Sequence, residues 1–254
     1  MLLNFQTHGT GFPILILHGL FGALDNWQTV SRRLGEHFQV FALDLRNHGR
    51  SPHSEVMNFE VMADDIEEFL QTHHLPQIHL LGHSLGGKVA MSFGLQYPDR
   101  VARLISADMA PRAYSPSHLG IFKALRSLDL ASFQNRNEMD QALASQIPEP
   151  AIRQFLLKNV GRMDDGTFTW KLNLPAIETN YPALLVALHA DHQFPGPVLF
   201  IRGGKSDYIQ DTDRELILEL FPQARFEAIQ SAGHWLHAEA PDEFVRLVTG
   251  FLAA

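Results

Sequence analysis

Six short apolar runs recur along the chain, and segments with helical spacing follow them. The runs lie at 14–17, 39–43, 78–81, 101–107, 198–201 and 225–229. Several are apolar at nearly every position, which is typical of strands that helices bury on both faces. The pattern predicts the α/β class, with a mostly parallel, doubly wound sheet. Helical spacing over 63–70 and 88–96 predicts two of the helices between the strands.

The amino-acid composition between residues 113 and 194 differs from that of the rest of the chain. Leu, Ala, Gln and Glu dominate this segment, prolines interrupt it, and β-branched runs are absent from it. We predict that residues 1–112 and 195–254 form one core domain and that 113–194 is an inserted helical cap, or lid. A chain of 254 residues with 45% hydrophobic content is long enough to bury one large core.

The overall charge and composition exclude several classes of protein. A formal net charge of −8 argues against nucleic acid or an anionic membrane as the partner, because both need a basic face. The absence of cysteine excludes disulfides, thiolate nucleophiles and cysteine-bound metals. No apolar run approaches the roughly 20 residues of a membrane span, and the first residues do not resemble a signal peptide. We expect a cytoplasmic protein that acts on a small organic molecule.

A serine flanked by glycines follows the run at 78–81, in the sequence Gly82-His83-Ser84-Leu85-Gly86. Reactive groups in an open α/β sheet gather at the carboxyl ends of the strands, where Ser84 is expected to lie. A sharp turn between strand and helix needs small neighbours, and the two glycines meet that need. This context favours Ser84 as a nucleophile over a solvated serine in an ordinary turn.

A serine hydroxyl becomes a nucleophile only when a base takes its proton, and the base needs an acid to orient it. His234 follows the last apolar run, so its loop opens at the same edge of the sheet as Ser84. The other histidines after Ser84 include His118, His189 and His192, which lie inside the predicted cap. The pair His189 and His192 lacks a matched cluster of further ligands, and we predict neither a metal nor a cofactor.

Two aspartates can reach His234, and topology alone does not choose between them. Asp108 directly follows the run at 101–107, whereas Asp207 lies in a glycine-rich loop before the last strand. At the end of an apolar strand the carboxylate of Asp108 would be buried, and a buried carboxylate needs a partner such as His234. We expect Asp108 to be the acid and keep Asp207 as the alternative.

Acyl transfer also requires N–H donors that stabilise the oxyanion. The N–H of Leu85, the residue after the serine, is one candidate. The turn His18-Gly19-Leu20-Phe21-Gly22 follows an early strand and offers the N–H of Leu20 as the second. The charged stretch at 44–51 is expected to brace this turn through hydrogen bonds without entering the chemistry.

Five motifs together resemble those of the α/β-hydrolase superfamily. They are HGLFG at 18–22, DLRNHGRS at 44–51, GHSLGGK at 82–88, ADMAP at 107–111 and AGHWLHAE at 232–239. They are most similar to those of small bacterial carboxylesterases of the YbfF type and the related mammalian ABHD11-like proteins. The resemblance implies an α/β-hydrolase fold with a helical cap and a serine hydrolase of acyl esters or thioesters without a cofactor. It also implies the acid after the earlier strand, Asp108, with Ser206 as a hydrogen-bonding neighbour of His234.

The sequence therefore predicts a carboxylesterase with a triad of Ser84, His234 and Asp108, acting through an acyl-enzyme on a small-molecule ester or thioester. Two alternatives stay open. One is a carbon–carbon bond hydrolase or perhydrolase on the same triad, and the other is a ligand-binding receptor with a vestigial triad. Most aromatic residues of the cap are expected to pack internally and a few to line an acyl pocket. The candidates are Phe122, Phe133, Phe155, Phe168, Trp170 and Tyr181.

Overall fold

The computed structural model describes residues 1–254. Its strands are β1 (Phe5–His8), β2 (Pro13–Leu17), β3 (Gln39–Leu43), β4 (Ile78–His83), β5 (Val101–Ala107), β6 (Val160–Arg162), β7 (Phe168–Trp170), β8 (Val198–Gly203) and β9 (Ala224–Ile229). Its α-helices are α1 (Gln28–Leu34), α2 (Phe59–Thr72), α3 (Leu85–Gln96), α4 (Leu119–Arg126), α5 (Arg136–Leu143), α6 (Pro150–Leu157), α7 (Leu174–Asn180), α8 (Arg214–Leu220), α9 (Leu236–Glu239) and α10 (Pro241–Ala253). Short 3₁₀ helices lie at Leu24–Trp27, Pro98–Arg100, Leu130–Ser132, Tyr181–Leu184 and Asp211–Asp213.

Seven strands form one sheet in the order β1-β3-β2-β4-β5-β8-β9. Every neighbouring pair is parallel except β1 and β3, so the mostly parallel sheet predicted from the sequence is confirmed. All six apolar runs are strands of this sheet. The edge strand β1 was not predicted, because its sequence FQTH is only half buried and has no apolar run.

The sheet has an apolar core on each face, since successive side chains of a strand point to opposite sides. In β2, Leu15 and Leu17 belong to one core, whereas Ile14 and Ile16 belong to the other. The first core has 49 buried residues and the second 22. The first is larger because it continues into the segment between β5 and β8.

That segment contains helices α4 to α7 and the antiparallel hairpin of β6 and β7. The hairpin was not predicted, because strands of three residues are too short to show a period. Hydrogen bonds join the segment to the rest of the chain: Asn159 Nδ2 donates to the Phe21 carbonyl at 2.7 Å, and the Asn173 N–H donates to the Asn47 carbonyl at 2.9 Å. The division at residues 113 and 194 into core and cap stays a prediction.

None of the helices combines the length and the apolarity that a membrane crossing requires.

Candidate active site

Ser84 lies on the sharp turn between β4 and α3. Its φ of 53° falls in the left-handed region, which residues other than glycine rarely adopt. A Cβ on Gly82 would lie 2.0 Å from the carbonyl oxygen of Gly86, and a Cβ on Gly86 would lie 2.4 Å from that of Leu17. Neither position can hold a larger residue unless the backbone moves. The two glycines thus allow α3 to start directly against β2 and β4.

Asp108 follows β5 and is completely buried, with a φ of 52°. Its Oδ1 accepts from the N–H of Gly203 at 3.0 Å, and its Oδ2 accepts from His234 Nδ1 at 2.7 Å. The hydroxyl of Ser206 also donates to Oδ2. We expected Ser206 to bond to His234; it instead contacts His234 only through the carboxylate that both residues share.

The carboxylate of Asp207 makes no hydrogen bond with His234. Its side chain is exposed, and its backbone carbonyl accepts a hydrogen bond from Arg112 at 3.1 Å. The one-residue step from Ser206 to Asp207 turns the side chain away from His234. The structure therefore brings Asp108, and not Asp207, together with the histidine.

Three residues that the sequence analysis did not single out hold His234 in place. The ring of Tyr208 stacks on the imidazole at 3.8 Å between centroids, with 16° between the planes. His83 Nε2 donates to the His234 carbonyl at 2.8 Å. The carboxylate of Glu239 accepts from the N–H groups of Gly233 and Trp235, at 2.7 and 3.2 Å. In the sequence, His83 is next to Ser84 and Tyr208 is next to Asp207. This proximity to candidate site residues was the only sequence signal for their contacts with His234.

Two cavities meet at Ser84. The first, the Lys88 cavity, has a volume of about 330 Å³, and its walls include Leu85, Lys88 and Tyr114. The second, the Trp235 cavity, has a volume of about 500 Å³, and its walls include His234 and Trp235. Both share the residues Leu20, Ser84, His118 and Tyr208. Ser84 and His234 thus face the same space without a hydrogen bond between their side chains, a contact that commonly tightens only when substrate binds.

Comparison with known proteins finds α/β hydrolases among the chains similar to this one. A family model described as alpha/beta hydrolase fold matches residues 13–138. The sn-1-specific diacylglycerol lipase ABHD11 of Mus musculus is 38% identical over 248 residues, which cover 94% of this chain and 80% of that protein. Esterase YbfF of Escherichia coli is 36% identical over 97% of this chain and 95% of its own. The solved structure of a marine microorganism esterase has a TM-score of 0.96 and 42% identity, and covers 98% of this chain and 99% of that one.

The chain belongs to the α/β-hydrolase family. The resemblance to YbfF-type and ABHD11-like proteins seen in the motifs is confirmed over nearly the full length. Esterases and a lipase are among its relatives, and this α/β hydrolase is a carboxylic ester hydrolase.

The role of the Leu20 and Leu85 N–H groups as oxyanion donors stays a prediction, and neither group donates a hydrogen bond within the chain. Leu20 follows β2 and lines both cavities, and its N–H has no hydrogen-bond acceptor within the chain. Leu85 is the first residue of α3, where a helix leaves its N–H groups unpaired and carries partial positive charge.

The charged loop at 44–51 braces the Leu20 turn, as the sequence predicts. The Leu45 N–H donates to His18 Nε2 at 3.0 Å, and the Leu24 N–H donates to Asp44 Oδ1 at 2.8 Å. His18 Nδ1 then donates to the Gly19 carbonyl at 2.8 Å, which fixes the tautomer of the ring.

The histidines around His234 are uncharged at neutral pH. Burial, and next the charge of His234, lower the pKa of His237 to about 3 and that of His118 to about 4. The pKa of His83 is well below its usual value, mainly because of burial. These three rings therefore add no positive charge to the site.

Two of the six aromatic candidates named in the sequence analysis line the cavities. Tyr181 lines the Lys88 cavity, and Phe155 lines the Trp235 cavity. The other four, Phe122, Phe133, Phe168 and Trp170, pack in or against the larger core. His189 and His192 are not part of a group that could hold a metal; His192 Nε2 donates to the Leu95 carbonyl.

Proposed function

We propose that this hydrolase is a serine esterase that works through an acyl-enzyme on Ser84. His234 is the base, Asp108 orients it, and the N–H groups of Leu20 and Leu85 bind the oxyanion. The observation that carries the proposal is the 2.7 Å hydrogen bond from His234 Nδ1 to the buried carboxylate of Asp108. It leaves Nε2 as the ring nitrogen that is free to accept a proton from Ser84, and both residues line one cavity.

In the first half of the reaction the Ser84 hydroxyl oxygen bonds to the ester carbonyl carbon, and its proton passes to His234 Nε2. The carbonyl oxygen becomes an oxyanion held by the two N–H groups. When the carbon–oxygen bond to the alcohol breaks, His234 returns the proton to the leaving alcohol oxygen. Water then attacks the acyl-enzyme by the same steps, which releases the acid. A thioester would react in the same way, with a thiol as the leaving group.

We use the position of His234 to decide which cavity takes the alcohol of the ester and which takes the acyl group. The leaving alcohol must receive its proton from His234, which lines the Trp235 cavity and not the Lys88 cavity. Leu85, on the oxyanion side, lines only the Lys88 cavity. We therefore place the alcohol in the Trp235 cavity and the acyl group in the Lys88 cavity, with the shared residue Ser84 between them.

The test is hydrolysis of a panel of p-nitrophenyl esters and acyl thioesters of rising chain length by the wild type and by Ser84→Ala. Loss of one triad residue typically lowers kcat by about 10⁴-fold or more. The matched control is Ser92→Ala, which removes a buried hydroxyl two turns further along α3 and should keep wild-type turnover. If Ser84→Ala retained a tenth of wild-type turnover, the proposal would be wrong.

A further inference from the structure

Lys88 is a buried cation at the wall of the Lys88 cavity, and the ester chemistry above does not use it. Its side chain is 1% exposed. The ammonium donates to the Val186 carbonyl and lies 5.3 Å from the ring centroid of Phe59 and 5.1 Å from that of Tyr114. An ammonium has three N–H donors, and this one has no other acceptor in the chain. Two of its hydrogen bonds are therefore left for a ligand.

No carboxylate of the protein balances this charge. No acidic group lies within 4.0 Å of Lys88, whereas every other strongly buried cation is ion-paired, as Arg46 is with Asp65. The charged groups on the cavity wall besides Lys88 are Arg112 and Asp207. Arg112 is already paired with Asp213, and the Asp207 side chain is exposed. A buried charge without a partner is unfavourable, so the cavity favours an anionic ligand.

Lys88 and Ser84 line the same cavity. The backbone N–H of Lys88 donates to the Ser84 carbonyl, so the two residues are one helical turn apart, about 6 Å along the axis of α3. Side chains on a helix point back toward its N-terminus, which directs Lys88 toward the end where Ser84 lies. A group that contacts both residues must be short.

On these observations, and resting on the proposed acyl-enzyme function, we infer that Lys88 binds a carboxylate at the far end of the acyl group. The preferred substrates are then monoesters of short dicarboxylic acids, such as succinate, glutarate and adipate. Burial, and next the charge of Arg112, lower the pKa of Lys88 to about 7. The substrate carboxylate would raise it again by supplying the missing counter-charge.

The test compares monoethyl succinate, glutarate and adipate with three uncharged ethyl esters in which an isopropyl group replaces the carboxylate. The measured quantity is the ratio of kcat/KM for each charged ester to kcat/KM for its uncharged counterpart. Both esters use the same triad, so a general loss of activity cancels in the ratio. Lys88→Met should lower the ratio at least about tenfold for one or more of the diacids, mainly through KM, as expected for a lost charge-assisted hydrogen bond.

Lys123→Met is the matched control, because it removes the same charge from an exposed position on α4 and should leave the ratio unchanged. An equal loss for both esters in Lys88→Met would mean that the lysine is only structural, and it would overturn the inference. Because Lys88→Met could fail to fold, the wild type is also tested alone. Glutarate should inhibit hydrolysis of an uncharged ester at least about tenfold more strongly than pentanoate does, and equal inhibition would likewise overturn the inference.

The two proposals fail in different ways. If neither ester is hydrolysed by the wild type, the proposed function is wrong. If the uncharged ester is hydrolysed, and Ser84→Ala abolishes that activity, the proposed function stands while the ratio alone decides the role of Lys88.

Discussion

Backbone strain at single residues marks the edge of the sheet where the candidate site lies. Phe21, Ser84 and Asp108 have φ values of 59°, 53° and 52°. Such conformations cost about 1–3 kcal/mol each and persist only where the surroundings fix them. Here hydrogen bonds do so: the Ser84 N–H donates to the Ala107 carbonyl at 3.1 Å, and the Asp108 N–H donates to the Ile201 carbonyl at 2.8 Å.

The role of Asp108 gives a prediction at this scale. Asp108→Asn keeps the size of the side chain but favours the wrong tautomer of His234, so kcat should fall by about 10⁴-fold. Asp207→Asn is the matched control, because its carboxylate is exposed and does not contact His234, and it should cost about tenfold or less. Steady-state kinetics on one p-nitrophenyl ester measures both. A larger loss in Asp207→Asn than in Asp108→Asn would mean that the acid is misassigned.

At the scale of elements, the turn at Ser84 and the start of α3 depend on how closely the backbone of α3 approaches those of β2 and β4. Gly86→Ala would bring a Cβ against the Leu17 carbonyl, so α3 or β2 must shift. We expect the free energy of unfolding to fall by about 1–3 kcal/mol, with loss of esterase activity because the N–H of Leu85 moves.

The control for this change is Gly250→Ala in α10, where an added Cβ meets no atom within 4 Å. That change should stabilise the protein by up to about 1 kcal/mol, since alanine favours a helix over glycine. Chemical denaturation of the two variants gives both values. A Gly86→Ala variant that is as stable and as active as the wild type would contradict the close packing at the turn.

The two cavities predict that aromatic residues from different helices control different parts of the substrate. Tyr181→Leu should alter the preference for acyl chain length, whereas Phe155→Leu should alter the preference for the alcohol, each by about tenfold in relative kcat/KM. Phe133→Leu, which lines neither cavity, should change neither preference. Two ester series, one varied in the acid and one in the alcohol, measure the effects. If Tyr181→Leu changed only the alcohol preference, the assignment of the cavities would be reversed.

For the whole molecule, the sequence predicted the features that local patterns determine. The apolar runs predicted the parallel strands, and the glycines around Ser84 predicted the turn. The stacking of Tyr208 on His234 and the direction of the Ser206 hydroxyl could not be predicted, because they depend on how loops from distant parts of the chain meet. The hairpin of β6 and β7 was missed because its strands of three residues are too short to show a period, although residues of both strands pack in or against the larger core.

Buried histidines predict how the stability of the whole molecule depends on pH. Burial lowers the pKa of His18 to about 4 and those of His48 and His237 to about 3, below the value near 6.5 that each has when unfolded. Between these values the unfolded chain binds more protons than the folded chain, so stability falls as pH decreases. Each group contributes up to about 1.4 kcal/mol per pH unit in that window.

Thermal unfolding between pH 7 and pH 4 should therefore show a steep decrease in Tm. His48→Gln removes one of the three buried histidines and should make the decrease in Tm smaller. His37→Gln, at an exposed position, should leave the decrease in Tm unchanged. A Tm that does not change over this range would show that these rings are not held uncharged in the folded state.

The most direct test of the central claim is to find the residue that a fluorophosphonate probe modifies. Peptide mapping by mass spectrometry after labelling of the full chain identifies it, and an ester substrate serves as competitor. The account predicts a single adduct on Ser84 that the ester suppresses, slow labelling of Asp108→Asn, and no adduct on Ser84→Ala. An adduct on another residue, or ester hydrolysis that continues at the wild-type rate after the probe has fully modified Ser84, would contradict it.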